Sequence, residues 1–234
     1  MPGRWILATL LTVSTAFVLG CSAPTPSVVV PPTGATVLVP TLPSGSVASH
    51  LSTADAALDR DDLATAEREY RDAAVLDPRS AKAQFGLGNV YVRQSRFPEA
   101  ERAYTSALDL DPGMVAARTN LGVAYYQMGQ LSKAAEVFSE ALKLDPNDAK
   151  TLYLAAVVRL QENKLSDAEQ LLIKAQTSDP KLPEVYYGLG VLYRLKGQKQ
   201  DAISAFEKFL AIGPGQDPGA MDHARQELES LRAN

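Results

Sequence analysis

Few side chains in this 234-residue chain are of the kinds that do chemistry, and they are scattered. Cys21 is the only cysteine. It has no partner for an internal disulfide, and no other Cys or His stands near it at metal-ligand spacing. His50 and His223 lie far apart in sequence, so imidazole acid–base or metal chemistry has little to draw on, and both are expected at the surface. Gly86-Leu87-Gly88 and Gly188-Leu189-Gly190 look like the start of phosphate-cradling loops. Such a loop follows a strand and carries a third glycine. Here the surroundings are helical and Tyr91 or Tyr193 stands in the third place, so close helix packing is expected instead. Asp61-Asp62 pairs two carboxylates without the ligand spacing of a calcium loop, and reads as a helix start favoured by the helix dipole. No Ser/His/Asp set can be assembled. Neither enzymatic activity, nor a metal, nor a cofactor is expected.

With 46% hydrophobic and 21% charged residues, the chain has ample material for a packed core. Its net charge of −4 argues against a general binder of nucleic acid, which carries a basic face.

The surroundings of Cys21 give it a role. Arg4 precedes an uncharged run from Trp5 to Gly20, interrupted by Thr9, Thr12, Ser14 and Thr15. That run is short for a membrane span, which needs about 20 apolar residues, and fits a signal-peptide core over residues 1–20. Its end, Val18-Leu19-Gly20-Cys21, resembles the lipobox of bacterial lipoproteins. The resemblance implies a diacylglycerol on Cys21, removal of residues 1–20 and a membrane anchor of several acyl chains, each contributing about 0.8 kcal/mol per buried CH₂. Ser22 is not the aspartate associated with inner-membrane retention, which implies the outer membrane where a cell has two. Residues 21–46, rich in Pro, Ser and Val, read as a tether. From Ser22 to Ser46 a polyproline-type chain would reach roughly 75 Å, although the Val28–Val30 and Val37–Val39 runs also suit a docked segment.

The remainder is periodic. Asp-Pro recurs at Pro78, Pro112, Pro146 and Pro180, with Pro214 next, always 34 residues apart. A fixed period of this size marks stacked units that bury their apolar faces against one another. Leu87-Gly88…Tyr91, Leu121-Gly122…Tyr125 and Leu189-Gly190…Tyr193 alternate with Ala100…Tyr104, Ala134…Phe138 and Ala202…Phe206. The pattern resembles the tetratricopeptide repeat. The units at 47–80 and 149–182 depart from it, with Ala54 and Ala156 where glycine stands elsewhere and Arg159 where tyrosine does. Arg159 calls for an acidic partner or an exposed tip. Ser166-Asp167-Ala168-Glu169 reads as a capping box. The implied fold is all-α: a right-handed superhelix of five helix pairs (47–80, 81–114, 115–148, 149–182, 183–216) with a capping helix over 217–234, under which Phe209 packs.

Resemblance to this family also implies that partner segments lie in a concave groove lined by the first helix of each pair. It projects Phe85, Asn89, Val92, Thr119, Asn120, Val123, Tyr126, Tyr153, Val157, Leu160, Tyr187 and Val191 into that groove. Tyrosines and aliphatic residues suit an apolar or amphipathic peptide. Asn89, Asn120 and Lys150 match part of the carboxylate clamp of some family members, but Phe85 and Leu154 replace two of its charged residues, which argues against such a clamp. The reading is a lipid-anchored scaffold that binds proteins in the cell envelope, similar to tetratricopeptide lipoproteins of pilus, secretion or envelope assembly. The alternative is a small-ligand or lipid carrier that uses the same groove.

Overall fold

The computed structural model describes residues 43–212 and 218–233. The expected signal peptide, Cys21, the tether as far as Leu42, and Pro214 lie outside the described residues. Those residues form eleven α-helices and no strand. The first pair is α1 (Val47–Asp59) with α2 (Leu63–Leu76), then α3 (Ala81–Arg93) with α4 (Phe97–Leu110), and α5 (Val115–Gln127) with α6 (Leu131–Leu144). Next come α7 (Ala149–Gln161) with α8 (Leu165–Ser178), α9 (Pro183–Leu195) with α10 (Lys199–Ile212), and finally α11 (Pro218–Ala233). No described helix is long and apolar enough to cross a membrane.

The chain stops and restarts each helix by the same local chemistry. Asp77, Asp111, Asp145 and Asp179 end α2, α4, α6 and α8, and each side chain accepts a backbone N–H two residues on, at 2.9 to 3.1 Å. This Asx turn spans the proline that forbids further helix. Within each pair, the turn passes through one left-handed residue: Asp61, Ser95, Gly129, Asn163 and Gly197 have φ between 57° and 72°. Asp, Asn and Gly tolerate that conformation best. Asp62 then caps α2, accepting from the Thr65 N–H at 3.1 Å. The capping box expected at Ser166 is absent. The turn at Asn163 makes Lys164 the N-cap of α8 without a side-chain bond, which leaves Ser166 already inside the first turn. Arg159 does have its acidic partner, Glu162, at 2.7 Å.

Consecutive helices pack against one another along the chain, and the first helices also touch their counterparts in the order α1, α3, α5, α7, α9. Their close succession makes them the inner wall of the stack, with the second helices outside. Two apolar clusters run through the stack, one built from α1 to α5 and one from α5 to α11, and Tyr125 packs against both. Both clusters and all the described helices lie within residues 43–234, so this segment carries its own core. The helical glycines serve packing, as expected. A Cβ on Gly86 would come within 2.3 Å of the Tyr70 ring, and one on Gly88 within 2.4 Å of Tyr104. At the far end Phe209, fully buried, packs with Ala220, Ala224 and Leu228 of α11.

Candidate functional site

The 34-residue period turns the inner helices into rows. Phe85, Thr119, Tyr153 and Tyr187 share one position on α3, α5, α7 and α9, and Asn89, Val123, Val157 and Val191 stand one turn later. A third row is Val92, Tyr126, Leu160 and Arg194. Residues spaced i, i+4, i+7 share a helix face, so the three rows form one continuous inner surface.

That surface has two halves. In the first, the polar residues bind each other. Asn89 Oδ1 accepts from the Tyr104 hydroxyl and from Asn120 Nδ2, both at 2.8 Å. The Phe85 ring packs beside Tyr104, their centroids 6.0 Å apart. Thr119 is buried and its hydroxyl meets that of Thr151 at 2.6 Å, while the Thr151 hydroxyl donates to Asp148. Asn89, Asn120 and Thr119 are thereby engaged in holding α3, α5 and α7 together.

The second half is apolar and open. A cavity of about 200 Å³ lies between α7 and α9, lined by Tyr153, Val157, Leu160, Tyr187 and Val191 of the expected set. The structure adds Gln161, Gly188, Arg194 and Leu195 to its wall. Leu195 is 47% exposed, which is high for a large aliphatic side chain. At one rim Gln161 Nε2 donates to the Tyr126 hydroxyl at 3.2 Å, and burial raises the pKa of that phenol. Tyr187 is fixed from behind. Its ring meets Phe206 and Phe209 edge-on with centroids 6.0 and 5.3 Å apart, and its hydroxyl lies 3.0 Å from His223 Nδ1 on α11. The other His223 nitrogen lies 3.4 Å from Glu227, which also faces Arg194 at 3.4 Å. Tyr153 is only 4% exposed, and its hydroxyl has no hydrogen-bond partner. Burial first, and then the charge of Glu184, push its pKa well above the ordinary tyrosine value.

Neither histidine is the plain surface residue expected. His50 is 9% exposed, with Nδ1 at 2.7 Å from Glu69 and Nε2 at 3.2 Å from the Ser44 carbonyl, so it ties Pro43–Ser46 to the first repeat. His50, Glu69 and Asp72 have potential ligand atoms within 4.8 Å of one another, but both ring nitrogens of His50 already face acceptors. Glu184 and Arg194 escaped the sequence reading, and His223 was expected only at the surface, because each is ordinary in isolation. For Glu184 the signal was the row itself, since it takes the place held by Lys82 and Lys150 in earlier repeats.

An inner wall of repeated first helices enclosing a side-chain-sized cavity defines a repeat protein of the tetratricopeptide class. Tetratricopeptide repeat family models match residues 51–114, 86–149, 128–187 and 183–216, an unbroken span from 51 to 216, and the chain belongs to this family. Similar solved structures include YrrB, a tetratricopeptide protein with an unusual peptide-binding site, at 25% identity and TM-score 0.57, with 76% of this chain and 90% of that one covered. A thermophilic tetratricopeptide protein of Thermus thermophilus is 18% identical with TM-score 0.66, over 81% of this chain and 100% of its own. PilF of Pseudomonas aeruginosa is 21% identical with TM-score 0.67, over 79% of this chain and 88% of its own. At those last two identities the likeness is one of fold. Comparison with curated protein sequences gives no significant match.

Proposed function

We propose that this protein is a scaffold held at an envelope membrane by a lipid on Cys21, with the groove of α3, α5, α7 and α9 binding segments of partner proteins. The observation that carries the reading is the open cavity between α7 and α9 with its aliphatic and tyrosine wall. At about 200 Å³ it falls below the range of roughly 300 to 1,000 Å³ of small-molecule pockets, which favours one or two peptide side chains over an enclosed lipid or other cargo. The likeness to YrrB, a protein with a peptide-binding site, supports the same reading. Support for the anchor comes from the Val18–Cys21 sequence, and the assignment to pilus, secretion or envelope assembly, on the outer membrane where there are two, rests on that resemblance.

Two experiments test these parts separately. Random peptides displayed against residues 43–234 should yield binders that are lost on Val191→Asp while the helical circular dichroism is kept. Binders indifferent to Val191→Asp would remove the groove from the function. For the anchor, the wild-type chain should enter the detergent phase on cloud-point extraction and Cys21→Ser should leave it, whereas unchanged partitioning would refute lipidation.

A further inference from the structure

Three buried polar atoms at the apolar end of the groove lack hydrogen-bond partners: the Tyr153 hydroxyl, Glu184 Oε2 in the first turn of α9, and Arg194 Nε. The first two face each other across α7 and α9: Glu184 stands one turn before Gly188, and a Cβ on Gly188 would lie 3.3 Å from the Tyr153 ring. Of the polar groups around them, Tyr126 accepts from Gln161 and Tyr187 meets His223, while the Arg194 charge is balanced by Glu227 at 3.4 Å. Among the described residues no cation lies within ion-pair distance of Glu184.

The repeat explains why the complement is missing. Three repeats earlier, Lys82 holds the place of Glu184 and reaches back 2.8 Å to Asp55 on the preceding first helix. In the fifth repeat the charge is inverted, and the place of Asp55 is taken by Val157 on α7. A carboxylate has replaced the lysine, and an aliphatic side chain has replaced its partner.

We propose that the niche beside Tyr153 and Glu184 receives a cationic group of the bound segment, a lysine, arginine or amine adjoining the aliphatic side chain that fills the cavity. This inference rests on the groove reading above. An ammonium or guanidinium group donates both to Glu184 Oε2 and to the phenol oxygen of Tyr153, and it neutralises the carboxylate. A backbone amide could make the same two hydrogen bonds but would leave the charge unbalanced. Acidic segments meet repulsion from Glu184 and from a chain of net charge −4.

The test uses isotope-labelled residues 43–234 and three probes with the same alkyl chain: n-butylammonium, n-butanol and n-butyrate. The readout is the movement of the Tyr153, Gly188 and Val191 amide signals. Butylammonium should bind about tenfold more tightly than butanol, and butyrate more weakly than both. Glu184→Gln should bring butylammonium down to the level of butanol. Tyr153→Phe should weaken it severalfold without changing butanol. Butanol binding as well as butylammonium, or a cation preference that survives Glu184→Gln, overturns the niche and leaves the groove standing. If none of the three probes moves these amides, the niche and the groove reading fall together.

Discussion

Gly122→Ala isolates the packing rule on which the stack depends. A Cβ at this position on α5 would lie 2.6, 2.8 and 3.0 Å from three atoms of the Phe138 ring, where ordinary contact begins at 3.4 Å. Phe138 is 1% exposed, so the ring has no solvent to move into and either it or α5 must yield by roughly 0.8 Å. Overpacking of this kind costs about 1 to 3 kcal/mol, and two contacts under 3.0 Å place it in the upper part of that range. Alanine returns about 1 kcal/mol through its better helix propensity. The net expectation is a loss of about 1 to 2 kcal/mol, or about 2 to 8 °C in melting temperature for a domain of this size. Urea unfolding followed by far-UV circular dichroism measures it. A second variant supplies the control: with Phe138→Leu in place, Gly122→Ala should cost at least about 0.5 kcal/mol less, a coupling that a double-mutant cycle resolves. A Gly122→Ala protein as stable as the wild type, or additive losses in the double variant, would refute the reasoning.

Asn89→Ala should destabilise the stack by about 1 to 3 kcal/mol in the same urea assay, because the buried Tyr104 hydroxyl and Asn120 Nδ2 lose their shared acceptor. Asn89→Asp, which keeps an acceptor oxygen, should lose less, and equal losses would contradict this account. Tyr125 has its pKa pushed up to about 12, by burial first and then by its hydrogen bond to the Glu101 carboxylate at 2.8 Å. The protonated phenol is the form that folding favours, so this contribution is complete below the ordinary value of 10.0 and is lost as pH rises from 10.0 towards 12. In tyrosinate absorbance titrations, the difference between wild type and Tyr125→Phe should show that late step, and Glu101→Gln should move it to lower pH.

The helices and their order were legible because each repeat stops and turns by short-range chemistry. Asp-Pro fixes the ends of α2, α4, α6 and α8 through side-chain bonds that reach only two residues, and such signals survive in sequence. Groove residues were legible as a face, since the rows at Phe85, Asn89 and Val92 recur at the period. Which members of a row remain available for a ligand was not legible. Thr119 and Tyr153 hold equivalent positions, yet Thr119 finds Thr151 across the helix interface while the Tyr153 hydroxyl finds no partner. That difference depends on contacts between chain segments more than thirty residues apart, which no local pattern encodes. The misplaced capping box has the opposite origin. Its residues are right, but the left-handed turn at Asn163 sets the N-cap at Lys164, two residues before Ser166, and a turn conformation outranks a cap preference.

The departures of the first and fourth repeats follow from one packing requirement. Each second helix carries one large side chain facing the inner helices: Tyr70, Tyr104, Phe138, Leu172 and Phe206. Each of them lies against one glycine. For Tyr104, Phe138 and Phe206 it is Gly88, Gly122 and Gly190, on the first helix of the same pair. For Tyr70 and Leu172 it is Gly86 and Gly188, on the first helix of the next pair. Repeats one and four therefore keep alanine, Ala54 and Ala156, where the others need glycine, because the following repeat makes the room. The requirement is a missing Cβ somewhere beside the large side chain, and either neighbour can meet it. In the fourth repeat that choice also shapes the groove. A Cβ on Gly188 would stand 2.8 Å from Leu172 and 3.3 Å from the Tyr153 ring, so its absence lets α9 settle closely against both α8 and α7. The same glycine lines the cavity. The spacing of the groove wall at its apolar end is thus set by packing on the outer helices, and a side chain added at Gly188 would displace α9 and narrow the cavity at once.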